Sequence, residues 1–246
     1  VRRAILLQLT GLLPDNQDSA DIYMKVALKD EDPDLRFLAL TQASLLSRTE
    51  TVIRDLKSLC LKIIKTGDMR ANRVLAAIVL RELGEKGRRL SELVLDGLQS
   101  PAVEVRRRTA LVLGEIKDPK TIEKLQVAAR DSDSEVRGNL CKSLSEQKNK
   151  LTIPILKSLV KDPDTLARRD ALSALSSFAE EDVTLEPFLS ALRDRDPALR
   201  LIAVGALERY SNIEAVPALE RASVNDLDPA VRTLAKKALD TLSAKK

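Results

Sequence analysis

The chain has no histidine and no tryptophan, two cysteines and eight glycines, and its aromatic residues are Phe37, Phe178, Phe188, Tyr23 and Tyr210 in 246 positions. Without histidine the commonest general base and metal ligand are missing, and every Ser-His-Asp or Cys-His arrangement is excluded. The glycines form no phosphate-cradling loop: Gly84-Glu85-Lys86-Gly87 is too short and lacks the following Ser or Thr, so it reads as a helix C-cap and turn. Cys60 and Cys141 lie far apart without metal-ligand spacing, which makes them expected core thiols of a reducing compartment and points to a cytoplasmic location. The longest apolar run, Val74 to Leu80, is far short of the roughly 18 to 20 residues that span a bilayer, and no secretory signal is visible, so no direct membrane insertion is expected. The acidic groups Asp30-Glu31-Asp32 and Glu180-Glu181-Asp182 fall in a cap and a loop, and neither has the wrapped spacing of a calcium site. No catalytic residue, metal or cofactor is expected.

What is present is a period. An arginine recurs at Arg2, Arg36, Arg73, Arg106, Arg137, Arg168, Arg200 and Arg232, at intervals of 31 to 37 residues. An apolar residue usually precedes it, and a leucine stands seven places after it in every repeat but the second, where Ala43 takes its place. Hydrophobic residues make up 44% and are almost all Leu, Ala, Val and Ile, the residues that pack helices. A fixed period in the thirties built of helical patterns describes supersecondary units, each burying its apolar face on its neighbours. In the seventh unit Val183 to Leu192 reads as a first helix, Arg193 to Asp196 as a turn and Pro197 to Tyr210 as a second helix. Alanine three places after the arginine, at Ala39, Ala76, Ala171, Ala203 and Ala235, leaves room for a neighbouring helix.

The turns carry the sharpest local signal. Asp32, Asp133, Asp164, Asp196 and Asp228 stand four places before the arginine, and Pro33, Pro197 and Pro229 follow three of them at once. An aspartate acceptor before a proline at the first helical position is an N-cap, because proline gives up a donor that had no partner anyway. A second aspartate, six places before the arginine, appears at Asp30, Asp131, Asp162, Asp194 and Asp226. Stacked repeats would set these carboxylates and the arginines Arg36, Arg137, Arg168, Arg200 and Arg232 in a structural ladder along one edge. The planar fork of arginine can take a carboxylate and a turn carbonyl together.

The turn Asp194-Arg195-Asp196-Pro197-Ala198-Leu199-Arg200 and its copies at residues 30–36 and 226–232 resemble the HEAT-like repeats of the phycobilisome-lyase type. The looser copies at 131–137 and 162–168, and the early first-helix prolines Pro154, Pro187 and Pro217, are similar to the same pattern. The resemblance implies an all-α fold, a right-handed α-α superhelix of about seven and a half two-helix repeats, or about 15 helices, in a single array over residues 1–246. The chain opens at Val1, at the start of a second helix, so it is expected to be a piece of something longer. The resemblance also invites a phycobilin-lyase reading, in which a bilin is attached to a partner's cysteine, although no residue here singles out a bilin site. The HEAT-repeat iron hydroxylases, whose metal is held by His-Glu pairs, are excluded by the missing histidine.

Repeats three and four depart from the pattern. Gly67 and Ser100 replace the first aspartate, Met69 and Ala102 the second, and Asn72 precedes Arg73, so irregular stacking is expected near residues 66–102. Residues 54–117 also hold 14 Lys or Arg against 8 Asp or Glu, in a chain whose net charge is only +4. Of the triplet Arg106-Arg107-Arg108, the ladder uses Arg106 and leaves Arg107 and Arg108 to face solvent. In HEAT-like solenoids the second helices line the concave surface, which would set Arg3, Arg107 and Arg169 on one ridge. The expected function is a non-catalytic protein-binding scaffold, with Arg81, Arg107, Arg108, Lys142 and Arg169 among the contacts and an acidic protein segment as partner. Binding of nucleic acid or another anionic polymer is the second alternative to this reading. It is poorly supplied with stacking residues, since repeats three to six hold no aromatic before Phe178.

Overall fold

The structure is a computed structural model that describes residues 17–46, 50–66, 70–84, 88–113, 119–178 and 184–243. Arg2, Arg3, Gly67, Met69 and Val183 lie outside them. Among the described residues there are 14 α-helices and no strands. The chain divides into two compact units, Val1–Glu115 and Ile116–Lys246.

The first unit holds α1 (Gln17–Lys29), α2 (Pro33–Leu45), α3 (Glu50–Thr66), α4 (Arg70–Glu82), α5 (Arg88–Asp96) and α6 (Val103–Leu111). First helices pack on their own second helices, as α1 on α2 and α3 on α4, while the second helices α2, α4 and α6 lie side by side. The core between them is aliphatic: Leu40, Cys60, Leu75, Ala76 and Leu80 are buried together with Tyr23, and Val74, Ile78, Val94 and Val105 form an adjoining cluster. Asp32 caps α2 by accepting the Asp34 amide at 2.9 Å. The cap of α6 has changed. Ala102 occupies the N-cap and offers no side-chain acceptor, while the Ser100 hydroxyl accepts the Ala102 amide at 3.3 Å. Gly84 ends the turn after α4 at a φ of 85°, a left-handed conformation that glycine adopts at no steric cost.

The second unit holds α7 (Pro119–Ala128), α8 (Ser134–Gln147), α9 (Ile153–Leu159), α10 (Thr165–Ser176), α11 (Glu186–Ala191), α12 (Pro197–Tyr210), α13 (Val216–Asn225) and α14 (Pro229–Ser243). The second helices α8, α10, α12 and α14 form one continuous layer, each packed on the next. Small residues make this layering close: Ala171, Ala203 and Ala235 are wholly buried, as are Leu175 and Leu207 one turn after the first two and Leu144 at the matching position of α8. One aromatic pair joins the two helices of the seventh repeat and ties it to the sixth. Phe188 and Tyr210 meet edge to face at 5.4 Å, and the Tyr210 hydroxyl reaches back to the carbonyls of Leu175 and Phe178 at 3.2 and 3.3 Å. The seventh repeat's first helix is shorter than its apolar pattern, running from Glu186 with Pro187 in its first turn.

Candidate functional site

The Asp-x-Asp turns of the second unit are each built from two aspartates and an arginine, and each of the three has its own task. The second aspartate caps the coming helix: Asp133, Asp164, Asp196 and Asp228 accept the amides of Val136, Ala167, Ala198 and Ala230. Such a cap contributes about 1 kcal/mol. The first aspartate folds the turn by accepting the amide two residues on, as Asp162 does from Asp164 at 2.8 Å and Asp226 from Asp228 at 2.9 Å. The arginine then grips two turns at once. Arg137 donates from Nη1 to the Asp131 carbonyl of its own turn at 2.6 Å, and from Nε and Nη2 to the Asp162 carboxylate of the next turn at 2.6 and 2.7 Å. Arg168 holds the Asp162 carbonyl and the Asp194 carboxylate in the same way, and Arg200 the Asp194 carbonyl and the Asp226 carboxylate.

Arg36, Arg106 and Arg232 show the local half of this geometry, donating to the carbonyls of Asp30, Ser100 and Asp226 at 2.7, 2.9 and 2.6 Å. The electrostatics follow the contacts. Hydrogen bonds from Arg200 outweigh burial and hold the Asp226 carboxyl below the usual carboxylate range. At Asp194 desolvation pushes upward, and the Arg168 guanidinium with the Asp196 amide pulls the carboxyl down past it. Asp162 and Asp226 are the most enclosed of these carboxylates, with side chains 3% and 6% exposed.

The five candidate contact residues occupy second helices, and each is already engaged. Arg81 donates from Nε to the Val112 carbonyl at 3.4 Å. Arg107 lies 3.7 Å from Glu104 on its own helix. Lys142 is exposed and pairs with Asp170 of the next second helix at 3.2 Å. Arg169 makes a two-pronged pair with Asp196, which thereby serves as helix cap and as counter-ion. That pair outweighs burial and draws the Asp196 carboxyl below its ordinary range. Gly138 stands one place after Arg137, and a Cβ there would meet the Asp170 carboxylate at 2.7 Å, so its bare backbone admits Asp170 beside Lys142.

Arg108 departs from expectation. Instead of facing solvent it bends back, donating from Nε and Nη2 to the Glu82 carboxylate at 3.0 and 2.8 Å and from Nη2 to the Ser44 hydroxyl at 2.9 Å. It therefore links the second helices α2, α4 and α6. Its Nη1 is buried without a hydrogen-bond partner. Neither Glu82 nor Ser44 was marked by the repeat pattern, because neither occupies a recurring position of the turn.

Cys60 and Cys141 are free thiols in the cores of the two units, and burial pushes Cys60 up to about 12 and raises Cys141 as well. Among the described residues no group of side chains could hold a metal ion, and no helix is long and apolar enough to cross a membrane.

The HEAT repeat family matches residues 91–176, a stretch that includes the Asp-x-Asp turns at 131–133 and 162–164. None of the curated proteins compared with the chain matches it. Solved structures do. Cex1p superposes with a TM-score of 0.59 at 14% identity, over 92% of this chain and 53% of its own, so the chain spans about half of that protein. An archaeal HEAT-like repeats protein from Thermococcus onnurineus NA1 gives 0.52 at 18% identity, covering 93% of this chain and 98% of that one. A designed armadillo repeat protein in complex with the peptide (KR)4 gives 0.51 at 18%, covering 92% and 100%. Residues 91–176 thus match HEAT repeats, and the chain has an all-α, solenoid-type fold like that of the HEAT-like and armadillo repeat structures.

Proposed function

We propose that this chain is a non-catalytic protein-binding scaffold whose second-helix surface receives an acidic protein segment. The observation that carries the reading is at Arg169. Its Nε and Nη2 are fixed on Asp196, which leaves Nη1 on a side chain still 38% exposed. Lys142, 55% exposed, likewise spends one contact on Asp170 and keeps donors to spare. Cations oriented in advance lose less side-chain freedom when a carboxylate arrives, which favours binding. In the first unit, taken by itself, Arg81 and Arg107 offer cations on the second helices α4 and α6, whereas Arg108 is committed to Glu82 and Ser44 and joins the frame instead. The designed armadillo repeat protein, whose peptide (KR)4 is basic, illustrates a peptide in complex with a repeat protein. A surface studded with Arg and Lys favours the opposite sign. The likeness to the phycobilisome-lyase type rests on the turn signature, and we extend it to the frame and not to bilin chemistry. The buried free thiols Cys60 and Cys141 accord with a cytoplasmic setting.

The test is affinity capture from source cells with wild type and with Arg107→Glu/Lys142→Glu, after thermal melts show that both remain folded. An identified protein with an acidic segment should bind wild type and associate about tenfold more slowly with the double variant. Equal capture by the two proteins would overturn the second-helix reading. Loss of nucleic acid alone, with a steep salt dependence, would put polymer binding in its place.

A further inference from the structure

On the opposite side of the second unit, between the first helices α11 and α13, lies an open cleft of about 680 Å3 that runs into a second of about 340 Å3. The two share Leu189, Arg193 and Glu214. The cleft forms because α11 and α13 each pack chiefly on their own second helix. Its apolar lining is Leu189, Leu192, Pro217 and Ala218, and Ile213 stands 54% exposed beside Glu214.

The charges change along this lining. Glu186 lines only the larger cleft and Arg221 only the smaller, where Asp226 is already held by Arg200, while Arg193 and Glu214 line both. Arg168, Arg169, Arg200 and Arg232 of this unit belong to the frame: the first three each hold a carboxylate, and Arg232 holds two carbonyls. Arg193 and Arg221 make no side-chain hydrogen bond or ion pair among the described residues, and neither do the carboxylates of Glu186 and Glu214. Four exposed charges of two signs, unpaired among the described residues and placed round apolar side chains, describe a bipolar surface.

We infer that this cleft is a second docking site, for an extended protein segment that carries an apolar side chain flanked by an acidic residue on one side and a basic residue on the other. The apolar side chain covers Leu189 and Pro217, the carboxylate meets Arg193 and Arg221, and the cation meets Glu186 and Glu214. In an extended segment alternate side chains face one way, so acidic, apolar and basic residues spaced two apart present all three groups to the cleft. This site does not depend on the second-helix reading, because it shares no residue with it.

The probe is a short fluorescein-labelled peptide repeating Lys-Ser-Leu-Ser-Glu, followed by fluorescence anisotropy against the full chain. Control peptides replace each Leu with Ser, each Glu with Lys, or each Lys with Glu. Saturable binding is expected, weaker by at least about tenfold for every control peptide and for Arg193→Glu/Arg221→Glu, and unchanged for Lys142→Glu. Both arginines are exposed, so the melting midpoint should hold; if charge reversal lowers it, Arg193→Gln/Arg221→Gln gives the same comparison. Absence of saturable binding to wild type, or equal binding by the cleft variants, would overturn the second site. Binding lost only with Lys142→Glu would overturn it too, and would favour the second-helix surface.

Discussion

Arg137 and Asp162 face each other across two consecutive repeats through two hydrogen bonds of 2.6 and 2.7 Å, with side chains only 9% and 3% exposed. Removing the guanidinium strands an enclosed carboxylate and frees the Asp131 carbonyl at the same time. Arg137→Ala should therefore destabilise the second unit by about 3–5 kcal/mol. Arg130, exposed and outside the clamp, should cost under about 0.5 kcal/mol on the same change. Urea melts of the two variants give the comparison, and equal midpoints would deny the clamp its structural role.

The clamps also set the response to acid. Arg200 holds Asp226 below the ordinary carboxylate range in the folded protein. The unfolded chain then binds protons more readily than the folded one near pH 4. The contribution is present in full above the unfolded value of about 3.9 and is lost as pH falls through the lower, folded value. Urea midpoints of the wild type should drop steeply below about pH 4. Asp226→Asn should start lower at neutral pH and show a shallower acid limb, and parallel curves would contradict the linkage.

Arg108 holds the first unit together where the Asp-x-Asp turn is lost. The ladder position that would face Arg73 carries Ser100, which keeps the local turn contact through its hydroxyl but brings no carboxylate. Arg108 provides a different link, to Glu82 and Ser44, with its side chain and that of Glu82 16% and 18% exposed. Arg108→Ala should cost about 2 kcal/mol. Arg108→Lys should recover little, since a single ammonium cannot reproduce the forked contact. Hydrogen exchange of α2, α4 and α6 amides would show the loss as faster opening in these helices.

Much of this frame was legible because it is local and periodic. The second helix of the seventh repeat runs from Pro197 to Tyr210 in the sequence pattern and in the structure, since Asp196 and Pro197 fix its start within two residues. Its first helix was read from Val183, yet α11 starts at Glu186; an apolar stripe continues through Leu185, whereas Pro187 in the first turn marks where the helix begins. The Arg106 to Arg108 triplet shows what spacing alone does not reveal. Successive helical side chains point about 100° apart, so Arg106 turns to its own turn's carbonyl, Arg107 lies toward Glu104, and Arg108 reaches the preceding repeat. Which of them meets a counter-ion depends on Glu82, 26 residues away and outside the repeating positions. The cleft of Arg193 and Arg221 was invisible for the same reason, since it arises from how far two neighbouring first helices stand apart.

The central claim is that the recurring arginine builds the frame by binding the carboxylate of the next repeat. A double-mutant cycle on Arg200 and Asp226, whose side chains are 11% and 6% exposed and joined by two 2.8 Å hydrogen bonds, tests it most directly. With Arg200→Ala, Asp226→Ala and the double variant compared by urea unfolding, the expected coupling is about 1–3 kcal/mol. Additive losses, with a coupling indistinguishable from zero, would contradict it.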